Sequence, residues 1–200
     1  MVLGGYPGAV DAGARQTPGM STLSVTEMRA AVAAGEQPEF LFFWGHRPRR
    51  DGSLGPSCLS QWWPAGFEVD GQRFATAEHW MMWHKARMFD DHDMARRILD
   101  AASPAEAKKL GAQVRGFDPG AWEAERFAVV VAGNRAKFGQ NPDLAAFLRG
   151  TAPRVLVEAS PVDPVWGIGL AADDVHAADP TRWRGLNLLG FALMQVRDHL

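Results

Sequence analysis

An acid and an amine, Glu78 and Lys85, lie seven residues apart within the segment 77–86. The segment contains no glycine, proline or β-branched residue, which favours a helix, and seven helical residues return to nearly the same face about 10.5 Å further along the axis. Two methionines lie between the charges and two tryptophans accompany them. The pattern predicts a pocket, in which a lysine of lowered pKa can attack a carbonyl. The plainer alternatives are a first-turn glutamate favoured by the helix dipole and a surface lysine.

A second set of candidate residues lies in 160–169, where Asp163 stands between two prolines and Trp166 precedes Gly167 and Gly169. The glycines permit a positive φ or a close approach of the backbone to a ligand. A tryptophan beside them can form a flat platform for a planar ligand. An aspartate before proline is often only a turn residue, so Asp163 either shapes this loop or takes part in catalysis.

Polar and aromatic side chains also meet at 59–64, where Ser60, Gln61 and Trp62 combine a hydroxyl, an amide and an indole. The Gln61 amide can read a base edge or a sugar hydroxyl, or it can tie down its own loop. Both roles remain open from the sequence.

Two further polar positions are candidates for ligand contacts. Asn187 precedes the last predicted helix and is either its cap or a contact to a ligand. Arg47, Arg49 and Arg50 lie in a loop and can bind phosphate, since a guanidinium matches it in bidentate fashion. A solvated loop is the alternative for the arginines.

Composition narrows the class of protein. The formal net charge of −2 and the pI near 6.3 give no support to binding of polyanions. The single cysteine, Cys58, excludes an internal disulfide. No signal peptide and no apolar run of about 18 residues is apparent, so we predict a cytoplasmic protein that does not span a membrane. The sequence has no phosphate-binding glycine loop, metal-binding histidine pair or serine nucleophile elbow, and we expect neither a metal nor a cofactor.

The order of elements predicts an α+β fold, a predominantly helical single domain with a small β-sheet. Capping residues at Ser24, Thr76 and Ser103 start three of the helices. We predict helices at 24–34, 77–86, 92–102, 103–110, 119–138, 142–150 and 186–200, and strands at 40–44, 67–74 (a hairpin) and 154–158. Residues 1–22 are predicted to be a disordered tail, 23–38 an appended helix and 39–200 the functional domain.

Eight motifs occur in the order seen in one known family. They are FWG at 43–45, LSQWWP at 59–64, AEHWMMWHKA at 77–86, KFGQN at 137–141, LVEAS at 156–160, DPVWGIG at 163–169, GLNLLG at 185–190 and ALMQVR at 192–197. On these motifs the chain resembles the NADAR (YbiA-like) family over residues 40–200. The resemblance implies an N-glycosidase domain of the YbiA-like fold, and we expect this domain to use no cofactor.

The resemblance also implies roles for individual residues and two classes of substrate. The family's acid falls on Glu78, its lysine on Lys85, and further pocket residues on Asp163, Trp166 and Asn187. Some members split ribose phosphate from the amine of early riboflavin-pathway pyrimidines, which gives ribose 5-phosphate and the base. Others remove ADP-ribose from guanine, including guanine in DNA.

Both substrate classes share a ribose C1′ bonded to an amine, which allows two mechanisms and three functions. In one mechanism Glu78 or Asp163 stabilises an oxocarbenium ion and activates water; in the other, which the resemblance favours, Lys85 forms a Schiff base at C1′. Hydrolysis of riboflavin intermediates is the first expectation. The alternatives are an ADP-ribosyl glycohydrolase, which would meet nucleic acid only as ADP-ribosylated substrate, and a non-catalytic module that binds ADP-ribose or NAD.

Overall fold

The computed structural model describes residues 24–200, so the tail predicted at 1–22 lies outside the described residues. Over the described residues the chain forms seven α-helices and four short strands, which confirms the predicted α+β class. They are α1 (Val25–Ala33), β1 (Phe40–Phe43), β2 (Phe67–Val69), β3 (Gln72–Phe74), α2 (Ala77–Met88), α3 (His92–Leu99), α4 (Pro104–Gly111), α5 (Pro119–Gln140), α6 (Pro142–Arg149), β4 (Val155–Glu158) and α7 (Leu188–Arg197). Two short 3₁₀ turns, Pro56–Leu59 and Pro180–Arg182, lie outside the predicted helices and strands.

The strands form two separate pairs rather than one sheet. β2 and β3 make the predicted hairpin around Asp70 and Gly71. β1 and β4 pair in parallel although more than a hundred residues separate them, and Phe43 lies opposite Glu158 at the end of this pair. Parallel strands need a long crossover, and here α2 to α6 supply it. The strand pair therefore carries two loops, 44–55 and 159–179, from the same edge.

Helix α2 runs through the centre of the molecule, since α3, α4 and α5 all pack against it. Its buried residues surround the helix, with Ala77, Trp80, Met82 and Ala86 among them. The approach of α4 is close because Gly111 has no side chain: a Cβ there would lie 2.1 Å from Met82 Sδ. This approach makes α4 one wall of the space beside α2.

Helix α1 packs against the 3₁₀ turn near the end of the chain. Val25 and Met28 are buried, and the Arg29 guanidinium donates hydrogen bonds to the carbonyls of Pro180 and Trp183 at 2.9 and 3.0 Å. The division of the chain into an appended helix at 23–38 and a functional domain at 39–200 stays a prediction. Within residues 24–200, every helix is too short or too polar to cross a bilayer.

Candidate active site

A cavity of about 520 Å³ opens between α2, α4 and the carboxyl end of β4. Loops that follow β1 and β4, and the turn before β2, complete its walls. The structure brings seven of the sequence-predicted site residues to this one cavity: Ser60, Gln61, Trp62, Glu78, Lys85, Asp163 and Trp166. They come from three separate stretches of the chain, and their roles in catalysis or binding remain predictions.

Glu78 occupies the first turn of α2, at the floor of the cavity. The Thr76 hydroxyl caps the helix by accepting from the His79 amide, and the Glu78 amide donates to the Gln61 carbonyl at 3.0 Å. The Glu78 side chain is only 3% exposed, and its Oε1 has no hydrogen-bond partner among residues 24–200. Burial raises the pKa of this carboxyl to about 7, although the nearby Lys108 ammonium opposes the shift. Glu78 can therefore hold or release a proton near neutral pH.

Lys85 lies two turns further along α2, half-buried and lining the same cavity. Its Nζ donates to the Gly111 carbonyl at 3.0 Å and lies 3.8 Å from the centre of the Phe117 ring. Desolvation by burial lowers the pKa of the amine. A lowered pKa increases the fraction of neutral lysine, which is the nucleophilic form. The shared face expected for Glu78 and Lys85 thus opens onto a real cavity.

Asp163 and Trp166 lie in the loop after β4, across the cavity from α2. The Asp163 Oδ1 accepts hydrogen bonds from the amides of Val165 and Trp166 at 3.0 and 2.9 Å, so the aspartate shapes its own turn. Both residues also line the cavity, and Trp166 is partly buried there. The two roles left open for Asp163, in the turn and in the site, are therefore compatible.

The turn at 58–62 is fastened to α5 by polar side chains behind the cavity. Lys137, which is fully buried, donates to the carbonyls of Cys58 and Ser60 at 2.9 and 2.8 Å. The Gln61 Oε1 accepts from Asn134 at 2.8 Å, while its Nε2 has no partner in the described chain. The Gln61 amide oxygen thus anchors its own loop to α5, and the amide nitrogen remains able to donate to a group in the cavity.

Three of the sequence-predicted substrate-binding residues do not line the cavity. Asn187 is fully buried, and its side chain bridges to β4 by accepting from the Glu158 amide at 3.0 Å and donating to the Leu156 carbonyl at 2.9 Å. It occupies the N-cap position of α7 with a left-handed backbone (φ 51°) and makes no side-chain cap. Gly167 and Gly169 pack behind the wall, where a Cβ on Gly167 would lie 2.8 Å from the Glu158 carbonyl oxygen. Asn187, Gly167 and Gly169 therefore support the cavity wall from behind and do not face the cavity.

Glu158 and Lys108 line the cavity but were missed as site residues from the sequence. Burial, and then the negative charges of Asp163 and Glu78, raise the pKa of Glu158 to about 8. The available signal was a glutamate directly at the end of an otherwise apolar strand, because the carboxyl ends of strands often carry site residues. Lys108 gave no signal, since an exposed lysine on a helix is ordinary.

The three arginines that are candidates for phosphate binding, Arg47, Arg49 and Arg50, lie outside the cavity lining. From the same loop, Trp44, Gly45 and His46 line the cavity, and the His46 ring lies 5.4 Å from the Trp62 ring. Residues 24–200 also contain no group of three histidine, cysteine or acidic side chains arranged to hold a metal ion. The cations that the described cavity offers to a substrate are Lys85 and Lys108.

The family of the chain follows from comparison with known proteins. A sequence profile of the NADAR domain matches residues 42–200, a range that contains the whole cavity. The chain belongs to the NADAR family.

Relatives in this NADAR family include proteins named for their activity. N-glycosidase R617 of Acanthamoeba polyphaga mimivirus is 39% identical, over 82% of this chain and 97% of the relative. N-glycosidase YbiA of Escherichia coli is 33% identical, over 69% of this chain and 76% of the relative. The NMR structure of YbiA superimposes with a TM-score of 0.61 and 28% identity, over 82% and 86% of the two chains. Riboflavin biosynthesis protein PYRR of Zea mays is 35% identical over 62% of this chain, which spans 19% of the maize protein.

Proposed function

We propose that this protein is an N-glycosidase that hydrolyses the bond between ribose C1′ and the exocyclic amine of riboflavin-pathway pyrimidine phosphates, with ribose 5-phosphate and the free base as products. The activity on N-glycosyl bonds follows the names of its relatives R617 and YbiA. The choice of riboflavin intermediates draws support from the similarity to the maize riboflavin biosynthesis protein. A buried, unpaired cysteine, Cys58, suits the reducing cytoplasm in which we place the reaction.

The observation that carries the proposal is the meeting of a buried acid and a half-buried amine in one cavity. Breaking a C1′–N bond develops positive charge at C1′ and leaves the amine in need of a proton. Glu78 supplies a carboxyl whose raised pKa suits proton transfer, and Lys85 supplies an amine of lowered pKa. Desolvation of Glu78 and Lys85 lowers the free energy of unfolding. Ligand binding alone does not require this cost, whereas catalysis requires the perturbed pKa values that desolvation produces.

We favour the covalent route for this chemistry. In the open-chain form of the substrate, C1′ is bonded to the leaving amine as an imine. The neutral Lys85 amine adds to C1′ while the imine nitrogen takes up one proton, a second proton passes to it from the added Lys85 nitrogen, and the old C1′–N bond breaks with its electron pair on the leaving nitrogen. Water then hydrolyses the Lys85 Schiff base, with Glu78 as the base that takes its proton, and releases the sugar aldehyde.

The remaining cavity residues suit recognition of a planar base and a sugar phosphate. The indoles of Trp62 and Trp166 offer flat surfaces for stacking of the leaving base. The Gln61 Nε2 can donate to a base edge or to a hydroxyl. Lys108, exposed at the α4 side of the cavity, is the cation that we assign to the phosphate in place of the arginines at 47–50.

A second candidate function is release of ADP-ribose from guanine. The observation that favours it is the apolar rim of the cavity, where Trp44 is 58% exposed and Val162 is 82% exposed. An exposed indole at the mouth can stack with a second base, which ADP-ribose would supply. The net charge of −2 gives no support to a nucleic-acid substrate, so this function ranks second.

One assay separates the candidate functions. The protein is incubated with a ribosylamino-pyrimidine 5′-phosphate and, separately, with ADP-ribosylated guanine in single-stranded DNA, and the released sugar is identified by mass spectrometry. Our account predicts free ribose 5-phosphate from the first substrate at a rate at least tenfold above the release from the second. Faster release of ADP-ribose would establish the second function. Binding of ADP-ribose without release from either substrate would identify a reader module and refute catalysis.

A further inference from the structure

We propose that Glu158 is a further catalytic residue, the general acid that gives its proton to the leaving amine, while Glu78 is the base that receives a proton from water. This inference rests on the proposed function, because it assigns a role within the same C1′–N cleavage. Neither the sequence motifs nor the comparisons distinguish Glu158 from its neighbours.

The position of Glu158 is fixed by the fold and not by its own side chain. It is the last residue of β4, and its amide donates to Asn187 while its carbonyl accepts from Ile168 at 2.9 Å. Its backbone is therefore held on both sides, but its carboxyl lines the cavity and the buried Oε2 makes no hydrogen bond to any residue from 24 to 200. A carboxyl that is positioned this firmly and left without a partner is available to a substrate.

Charged or titratable groups line the cavity around Glu158 from α2, α4 and the loops after β1 and β4, while the turn before β2 contributes none. Glu78 and Lys85 come from α2, Lys108 from α4, Asp163 from the loop after β4, and the titratable ring of His46 from the loop after β1. Among these charges, Asp163 has the largest effect on Glu158 and disfavours its ionisation, while Lys108 has the largest effect on Glu78 and favours its ionisation. These neighbouring charges favour Glu158 over Glu78 as the site of a proton that the two glutamates share.

Asp163 lies in the loop beside this pair, and two backbone amides donate hydrogen bonds to its Oδ1. The three carboxyl groups therefore differ in their surroundings. Asp163 accepts hydrogen bonds from two amides, the Lys108 ammonium favours the ionised form of Glu78, and Glu158 is desolvated beside negative charge. Different environments for neighbouring carboxyls are what separates an acid from a base in one site.

The proton transfers balance over the cycle. As Lys85 adds to C1′, Glu158–COOH gives its proton to the imine nitrogen and becomes a carboxylate. This carboxylate takes a proton from the added Lys85 nitrogen and passes it to the leaving nitrogen as the C1′–N bond breaks with its electron pair on that nitrogen, which releases the amine and leaves a protonated Schiff base and a Glu158 carboxylate. Water then adds to the Schiff base and gives one proton to the Glu78 carboxylate, which passes it to the Lys85 nitrogen. The Glu158 carboxylate takes the remaining hydroxyl proton as the bond from C1′ to Lys85 breaks and the sugar aldehyde departs.

The test compares the pH dependence of kcat/KM for the wild type, Glu158→Gln, Glu158→Asp and the control Glu39→Gln. Glu39 is exposed at the opposite end of the β1 and β4 pair. We expect wild-type activity to fall as the pH rises through the titration of Glu158. Glu158→Gln should lose about 10²- to 10³-fold in activity at neutral pH and lose this alkaline fall. Glu158→Asp should keep the fall at a reduced rate, and Glu39→Gln should match the wild type.

A purely structural role would give a different result, because a misplaced wall lowers the rate at all pH values and leaves the alkaline fall in place. If Glu78 is the acid, Glu158→Gln keeps the fall and moves it to lower pH, since a neighbouring negative charge has been removed. Either result overturns the inference. Thermal unfolding of each variant shows whether it is folded, and Glu158→Asp decides the test if Glu158→Gln is not. A wild-type protein that cleaves neither substrate refutes the proposed function itself, which keeps the two failures distinct.

Discussion

Buried polar side chains differ between the two sides of the cavity wall, the front that faces the cavity and the back that faces the protein interior. At the back, Lys137 donates to two carbonyls and Asn187 bonds to β4 with both ends of its amide. At the front, Glu78 and Glu158 each keep a buried carboxyl oxygen that no residue in 24–200 contacts by a hydrogen bond. The partnered groups hold the chain in place, and the groups without partners are left for chemistry.

The back and the front of the cavity wall are connected through the backbone. Lys137 fixes the turn that carries Ser60 and Gln61, and Asn187 fixes the strand that ends at Glu158. A buried polar group stabilises a fold only when its hydrogen bonds are made. Substitutions at the back should therefore change stability, whereas substitutions at the front should change activity and leave the fold intact.

The largest effect is expected at Lys85. If its amine forms the Schiff base, Lys85→Arg should be as inactive as Lys85→Ala, with a loss of about 10³-fold or more in kcat, because arginine keeps the charge but is not nucleophilic. Borohydride added during turnover should attach a ribose phosphate to Lys85 in the wild type only. The exposed Lys109→Ala serves as the control. A Lys85→Arg variant with more than about a tenth of wild-type activity would show that only the charge is needed.

Substitution behind the cavity should instead affect folding. Lys137→Met removes the donor to the carbonyls of Cys58 and Ser60 and leaves both buried without it, at a cost of about 3 kcal/mol in the free energy of unfolding. Urea titration measures this change, and the exposed Lys109→Met should cost less than about 0.5 kcal/mol. A Lys137→Met variant as stable as Lys109→Met would mean that the turn is held by other contacts.

The sequence predicted the helices well because their signals are local. Ser24, Thr76 and Ser103 accept from the amides of Glu27, His79 and Glu106, three residues along, as the capping patterns required. The pairing of β1 with β4 carried no such signal, since parallel strands far apart in sequence leave no local trace. The seven-residue spacing predicted the shared face of Glu78 and Lys85 for the same local reason.

The site was less predictable because burial is a property of the whole fold. Lys137 lies near the end of α5, where a lysine ordinarily stays on the surface and favours the helix dipole, yet it is fully buried beneath the 58–62 turn. Asn187 was expected to cap α7 or to contact a ligand, and its amide instead bonds to the neighbouring strand. Glu158 was not predicted as a site residue because the burial that raises the pKa of its carboxyl comes from elements distant in sequence and leaves no local pattern.

The buried Glu158 carboxyl at the front of the cavity wall should also lower the free energy of unfolding, by an amount that depends on pH. The Glu158 carboxyl has a pKa of about 8 in the fold against an ordinary value of 4.5. At low pH it is protonated in both states and has no effect; as the pH rises from about 4.5 to 8 the unfolded chain loses the proton first, so the folded state becomes less stable. Glu158→Gln should therefore be more stable than the wild type by up to about 5 kcal/mol near pH 9 and about equal to it near pH 4. Equal stability at both pH values, measured in urea, would show that the carboxyl is well solvated.

The smallest effect is expected at the aromatic wall. Trp166→Ala removes a stacking surface and should raise KM about tenfold with little change in kcat, because stacking acts on bound substrate before cleavage. Trp166→Phe keeps a ring and should raise KM by less than about threefold. A fall in kcat without a change in KM, in steady-state assays of both variants, would place Trp166 in the chemical step instead.

The proposed function depends most on the buried carboxyl of Glu78, which we expect to transfer the proton of water during hydrolysis of the substrate in this cavity. The most direct measurement is the rate at which wild type and Glu78→Gln release ribose 5-phosphate from a ribosylamino-pyrimidine phosphate, with matched thermal unfolding curves. Our account predicts a loss of about 10³-fold or more in kcat for a variant that remains folded, since glutamine keeps the shape of the side chain but can neither accept nor donate the proton. A folded Glu78→Gln variant that retains wild-type activity would contradict the claim.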